Sequence, residues 1–123
     1  MRDKIIIPSY LIPHFRSNHA GETGAVYIYK AIKMFNNDKK IKSFANEHFL
    51  TESRHLELIE EILDPQKRSK LILIWKIAGF FTGMIPSIFG KNFIYSTIFY
   101  VESFVEKHYE EQIQILKKKQ QHN

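Results

Sequence analysis

The chain contains no cysteine among its 123 residues, which excludes disulfides, zinc–thiolate sites and iron–sulfur clusters. Any metal ion must therefore be bound by oxygen and nitrogen ligands, supplied by carboxylates and by the six histidines. That ligand set suits iron, manganese or zinc and does not choose among them.

Secretion and nucleic-acid binding also lack support in the sequence. The apolar run at residues 5–7 is too short for a secretory signal, so we expect a cytoplasmic protein. The net charge of +5 and the lysines at 117–119 occur without a nucleic-acid recognition motif, and we predict no nucleic-acid partner. Attraction to an anionic membrane surface is the alternative explanation for this charge.

Length and composition predict a single all-α domain over residues 1–123, because a chain with 44% hydrophobic residues can bury a core. We expect an irregular lead-in over residues 1–14, which contains Pro8 and Pro13. Apolar residues then recur with helical spacing. The predicted helices begin near 15–18 and end at 35, run from 40 to 63, and run from 92 to 120.

The most apolar part of the chain is the segment at 71–90, and Lys76 is its only charged residue. A stretch of this length could span a bilayer. Gly79, Gly83 and Pro86 interrupt it, however, and favour a helical hairpin or a segment lying at the membrane interface. A buried core helix is the alternative.

Three predicted helices carry carboxylates on the face that should be buried: Glu22 on the first, Glu52 on the second and Glu102 on the last. His55 follows Glu52 at the i,i+3 spacing that places both side chains on one side of a helix, as in di-iron carboxylate bundles. Carboxylates buried together repel one another unless a cation neutralises them. We therefore predict a metal site, with a satisfied polar core as the alternative.

Two further histidines lie near these carboxylates. His48 precedes Glu52 by one helical turn and could be a partner of the site, although a partly buried structural histidine is the favoured interpretation. His108 follows Glu102 by six residues and could hydrogen-bond to the site or to a substrate.

Four ordered segments between about residues 16 and 116 resemble the demethoxyubiquinone hydroxylase family. They are Asn18-His-Ala-Gly-Glu-Thr-Gly-Ala25 with Ile28-Tyr29, Glu52-x-x-His55-Leu56, the apolar stretch at 73–80 with Gly83 and Gly90-Lys91, and Tyr100-Val101-Glu102 with His108-Tyr109 and Gln112. Members of this family are membrane-associated, ferritin-like di-iron monooxygenases that hydroxylate the quinone ring late in ubiquinone biosynthesis.

The resemblance implies a role for each matched residue. Glu22 would be a terminal iron ligand, Glu52 a bridging ligand, and His55 would complete the first iron site. Glu102 would be the terminal ligand of the second iron, and His108 a catalytic residue close to the site. The resemblance also implies a long-tailed quinone substrate and a peripheral position on the cytoplasmic face of the cell membrane, with the 71–90 segment facing the lipid.

The sequence departs from the family in one respect. The family pattern continues with a helix that carries a second Glu-x-x-His, and this sequence contains only the copy at 52–55. We therefore expect a ferritin-like bundle that lacks its last helix and has an incomplete second iron site. Activity would then require a separately encoded helix, or self-association would cover the open core. The alternative is an inactive remnant that acts as a membrane-associated quinone- or lipid-binding or assembly protein.

Overall fold

The computed structural model describes residues 6–121, and within this range the chain is helical with no β-strand. The all-α prediction is confirmed. Two short 3-10 helices and four α-helices follow one another: a 3-10 helix Ser9–Leu11, α1 Ile12–Phe35, α2 Lys39–Ile62, a 3-10 helix Pro65–Lys67, α3 Ile72–Phe89 and α4 Lys91–Gln121.

Helix α1 is the centre of the bundle. It packs along α2 on one side and α3 on the other, and α4 lies against α3 and reaches α1. The apolar core combines residues from α1, α2 and α4: Ile28, Tyr29, Ile32, Ile41, Ala45, Ile94 and Ile98. The predicted inward face of α1 is buried along its length, and this burial includes Glu22.

The predicted lead-in over residues 1–14 is wrong at its C-terminal end. Helix α1 already begins at Ile12, with Pro13 in its first turn. The first N–H groups of a helix have no acceptor within it, so proline loses no hydrogen bond there and its fixed φ suits the helix. Residues 1–5 of the lead-in lie outside the described residues.

The start of α2 is fixed by a side-chain cap. The carboxylate of Asp38 accepts hydrogen bonds from the backbone N–H groups of Lys40 and Ile41, at 2.9 and 3.1 Å. Such a cap satisfies N–H groups that the helix itself leaves free. The cap sets where α2 begins, and the helical repeat from there turns Glu52 towards the core.

Helix α3 is continuous, so the predicted hairpin is wrong. Gly79 and Gly83 do not break the helix; they lie against α1. A Cβ atom added to Gly79 would collide with the backbone of Gly24, and one added to Gly83 would collide with the backbone carbonyl of Ile28. The two glycines therefore allow α1 and α3 to approach closely, as small residues do at other tight helix contacts.

Most of α3 is not covered by the rest of the chain. Over Ile72–Phe89 the mean hydropathy is 1.6 and only 17% of the residues are buried, so the buried-core alternative is wrong. By length and composition this helix could cross a membrane. Six of its exposed apolar residues are called here the outer face of α3: Leu73, Ile74, Ile77, Phe81, Ile85 and Ile88.

Candidate metal centre

The three predicted carboxylates meet inside the bundle. Glu22 and Glu52 are only 4% and 8% exposed, and Glu102 is half-buried beside them. Glu22 Oε2 is buried and makes no hydrogen bond to any described residue. A buried carboxylate oxygen without a partner is costly, and a bound cation would satisfy it. The residues present therefore fit a metal ion.

Among the residues that the structure describes, two groups of side chains are compact enough to hold a metal ion. One consists of Glu22, Glu52 and His55, and the other of His48, Glu52 and Glu102. Within each group the candidate ligand atoms all lie within 4.8 Å of one another. Glu52 belongs to both, so a single carboxylate lies between two possible ion positions.

The first group is open to solvent on one side. His55 Nδ1 lies 3.7 Å from Glu22 Oε1 and 3.5 Å from Glu52 Oε2. The His55 side chain is 50% exposed, so its predicted burial on the inner face of α2 is wrong. The cause is local, because Glu52 and His55 are three residues apart and diverge by part of a helical turn.

Two tyrosines, the buried Tyr29 and the partly buried Tyr109, form hydrogen bonds to the outer carboxylates. Tyr29 donates its hydroxyl hydrogen to Glu102 Oε1 at 2.5 Å, and Tyr109 donates to Glu22 Oε1 at 2.9 Å. Burial, together with the adjacent carboxylates, raises the pKa of both phenols well above the ordinary tyrosine range. Both tyrosines therefore remain protonated donors. Both tyrosines lie in the family-like sequence segments, but the sequence did not indicate this role.

Glu52 is the carboxylate most affected by the crowding. Burial and the neighbouring Glu22 and Glu102 raise the pKa of Glu52 to about 8, while His55 partly offsets the effect. In the metal-free chain, burial and the neighbouring carboxylates therefore favour the protonated form of Glu52. A bound cation would take the place of that proton.

The raised pKa predicts that the metal-free chain loses stability as the pH rises from 5 to 8. The folded state holds the proton of Glu52 up to about pH 8, whereas the unfolded chain releases it near 4.5. The free energy of unfolding should therefore fall by up to about 1.4 kcal/mol per pH unit in this window and level off above it. Urea unfolding of chelator-treated protein measures this slope. Glu52→Gln should flatten it, and an unchanged slope in that variant would contradict the assignment.

His108 lies beside the centre without touching its carboxylates. Its Nε2 accepts a hydrogen bond from Gln112 Nε2 at 3.1 Å and lies 3.2 Å from Ser17 Oγ. Gln112 also exchanges two hydrogen bonds with Asn18, at 2.6 and 3.0 Å, which join α1 to α4. None of the described contacts of His108 involves the four predicted ligands, so its catalytic role stays a prediction.

Two adjoining cavities connect His108 and Glu22 to the side of α3. The inner cavity, about 100 Å³, is lined by Glu22, His108 and Tyr109 among others. The outer cavity, about 240 Å³, lies between α1, α3 and α4 and is almost entirely apolar. Both are lined by Gly21, Trp75, Phe104 and Val105. An apolar molecule could therefore reach Glu22 from the direction of α3.

Glu60 has a structural role that its sequence context does not indicate. Its Oε2 lies 3.2 Å from Nε2 of the buried His19 and 3.4 Å from a guanidinium nitrogen of Arg68. Arg68 also donates to the backbone carbonyls of Glu60 and Leu63. These contacts connect α1, the end of α2 and the segment before α3.

An all-α bundle in which one buried glutamate belongs to two Glu/His groups places the chain among helical bundles whose interior side chains could bind metal ions. Comparison with known protein families identifies the family within this class. The family of the ubiquinone biosynthesis protein COQ7 matches residues 10–123, and the chain belongs to that family. The family recognised from the four sequence segments is thereby confirmed.

One curated relative is the protein named NADPH-dependent 3-demethoxyubiquinone 3-hydroxylase, mitochondrial, from Dictyostelium discoideum. The two sequences are 29% identical over 107 residues. The alignment covers 82% of this chain and 48% of the relative, so the chain spans about half the length of the curated relative it matches. No solved structure matches the chain significantly.

Proposed function

We propose that this chain forms the metal centre of a di-iron monooxygenase of ubiquinone biosynthesis. The reaction is hydroxylation of the ring of demethoxyubiquinone, or of its quinol, with O2. One observation carries the proposal: Glu52 is common to two groups of potential ligands in a chain of this family. The name of the Dictyostelium relative supports the substrate class and suggests NADPH as the source of electrons.

The described residues provide ligands for both ions. Glu22 and His55 would hold one iron, Glu102 would hold the other, and Glu52 would bridge them. When bound, the iron pair supplies the activation of dioxygen that ring hydroxylation requires. The phenols of Tyr29 and Tyr109 keep the outer carboxylates in fixed orientations through their hydrogen bonds.

The cavities beside Glu22 suit a quinone with an apolar tail. We place the ring in the inner cavity, where Trp75 and Phe104 supply flat apolar walls. His108, with its ring stacked on Phe104, would donate or accept a hydrogen bond at a ring oxygen and so orient the ring. The tail would extend through the outer cavity towards α3.

The outer face of α3 is the proposed contact with lipid, at the cytoplasmic face of the cell membrane. Its exposed apolar residues would enter the headgroup boundary, and Lys67, Lys70 and Lys91 at the two ends of the helix would remain among anionic headgroups. A long-tailed quinone could then pass from the bilayer into the outer cavity without crossing water.

Charges placed on the outer face of α3 should release the protein from membranes. Replacing Ile77 and Ile85 together by glutamate should weaken binding to phosphatidylcholine–phosphatidylglycerol vesicles by more than about tenfold, because each buried isoleucine contributes about 1.5–3 kcal/mol. Vesicle flotation measures the bound fraction. Leu58→Glu, at an exposed apolar position of α2, is the matched control and should bind like the wild type. Equal losses in the two variants would argue against α3 as the contact.

A second candidate function is an inactive, membrane-associated protein that binds quinone or lipid or assists assembly. The exposed face of α3 and the apolar outer cavity favour it, because neither depends on a metal. In either function, a second copy of the chain or a separately encoded helix could pack against α4. Three aromatic residues of that helix are exposed: Phe99, Tyr100 and Phe104.

The experiment that separates the two functions is production of the chain in cells that lack their own demethoxyubiquinone hydroxylase. The enzyme proposal predicts that the cellular quinone gains one ring hydroxyl, detected by mass spectrometry of the extracted lipids. Unchanged quinone, despite metal-loaded chain at the membrane and co-production of a helix carrying Glu-x-x-His, would favour the inactive alternative. A second culture with Glu22→Ala controls for background oxidation.

A further inference from the structure

Helix α2 presents two histidines around Glu52, one a turn before it and one a turn after it. Positions 48, 52 and 55 share one side of the helix. In the structure these histidines approach different carboxylates. His55 Nδ1 lies 3.7 Å from Glu22 Oε1, and His48 Nδ1 lies 3.6 Å from Glu102 Oε1. Each ion position around Glu52 therefore has its own imidazole and its own outer glutamate.

The distance between His48 Nδ1 and Glu102 Oε1 fits two ligands of one metal ion better than a direct hydrogen bond between them. At 3.6 Å the two atoms are too far apart for a hydrogen bond. Metal–ligand bonds of about 2.0–2.2 Å allow two donors on the same ion to lie up to about 4.4 Å apart. The observed distance falls within that range.

The His48 ring is held by aromatic packing and not by hydrogen bonds. It stacks on Tyr29 with centroids 5.0 Å apart and packs against Phe44 at 4.4 Å. Among residues 6–121, no hydrogen bond to His48 is present. No described protein group therefore competes with a metal ion for the His48 nitrogen that faces Glu102.

Glu102 has one carboxylate oxygen without a hydrogen bond. The hydroxyl of Tyr29 donates to Glu102 Oε1, the oxygen that lies 3.6 Å from His48 Nδ1, and no hydrogen bond to Oε2 is formed within the described part of the chain. Both side chains are about a third exposed, so an ion could reach them from solvent.

We propose that His48 is a nitrogen ligand of the second metal ion, which it holds together with Glu52 and Glu102. The inference deepens the proposed function and depends on its metal centre. It replaces the interpretation of His48 as a structural histidine. It also gives the second ion three ligands from residues 6–121, so that both ions take one histidine from α2 and share Glu52.

His48→Phe tests the proposal, because phenylalanine keeps the aromatic packing against Tyr29 and Phe44 but has no nitrogen. The chelator-treated chain is titrated with Co²⁺, and bound metal is counted by equilibrium dialysis while the visible spectrum of Co²⁺ reports ligation. The wild type should bind two ions. In His48→Phe the second ion should bind at least about tenfold more weakly, since even residues that only orient a ligand cost that much. His55→Phe is the matched control and should weaken the other ion.

Each outcome separates this proposal from the proposed function. Two ions bound to His48→Phe with wild-type affinity and spectrum would overturn the role of His48 and leave the metal centre intact. No ion bound to the wild type would overturn the metal centre itself, and the role of His48 with it.

Addition of imidazole to His48→Ala is a second test of nitrogen ligation. Recovery of the second ion would support nitrogen ligation, and no recovery with unchanged helix content would contradict it.

Discussion

Under the proposed function, replacing Glu52 by glutamine should remove both metal ions and reduce quinone hydroxylation by more than about 100-fold. Residues that only orient a ligand already cost about 10–100-fold when they are changed. Glu52 is the one residue common to both ligand groups, so its loss affects both ions. A neutral amide also cannot supply the negative charge that two bridged cations need. Metal analysis of the loaded protein and mass spectrometry of the quinone product measure the two effects.

Two control variants should remove fewer metal ions than Glu52→Gln does: Glu22→Gln should weaken one, and Glu57→Gln none. Glu22→Gln should weaken only the ion that Glu22 shares with His55, because Glu22 is absent from the second group. Glu57→Gln changes an exposed glutamate on the same helix and should leave both ions in place. Retention of both ions in Glu52→Gln would show that Glu52 is not a shared ligand.

Adding a single methyl group to α3 should strongly destabilise the fold. In Gly79→Ala and Gly83→Ala the new Cβ would collide with the backbone of α1 at Gly24 and at Ile28. Backbone cannot move aside as a flexible side chain can, so the helices must separate. We expect a loss of about 2–3 kcal/mol in the free energy of unfolding for each variant, at the upper end of the cost of overpacking. Urea unfolding followed by circular dichroism measures it.

Gly21→Ala is the matched control for these substitutions. Gly21 is also a helical glycine, but a Cβ added there meets no atom within 4 Å. Alanine favours the helix over glycine by about 0.5–1 kcal/mol, so this variant should be slightly more stable than the wild type. If Gly79→Ala and Gly83→Ala behaved like Gly21→Ala, α1 and α3 would not be in direct backbone contact.

The helices and the three inner carboxylates were predictable because both depend on a regular repeat. Glu22 lies in register with Ala25 and Tyr29, and Glu102 lies in register with Ile98 and Val105, so the apolar period alone placed these carboxylates inward. The start of α2 was predictable to within one residue, since Asp38 is a typical capping residue.

The features that the helical period alone does not specify depend on contacts between helices. Gly79 and Gly83 resemble helix breakers in the sequence, and only the backbone of α1 lying against them explains why α3 continues. His48 and His55 have equivalent positions relative to Glu52, and the carboxylates that they approach, Glu102 and Glu22, lie on other helices. A single sequence does not specify which helices meet or at what depth, so these contacts could not be derived from periodicity.

Electron paramagnetic resonance of the chain loaded with Mn²⁺ tests the shared role of Glu52 most directly. Two Mn²⁺ ions joined by one carboxylate are magnetically coupled, so the wild type should give the broad spectrum of a coupled pair. Glu52→Gln should lose that spectrum, whereas Glu57→Gln should keep it. A wild-type spectrum with only the sharp hyperfine lines of isolated Mn²⁺, at full metal loading, would contradict a bridged pair at Glu52.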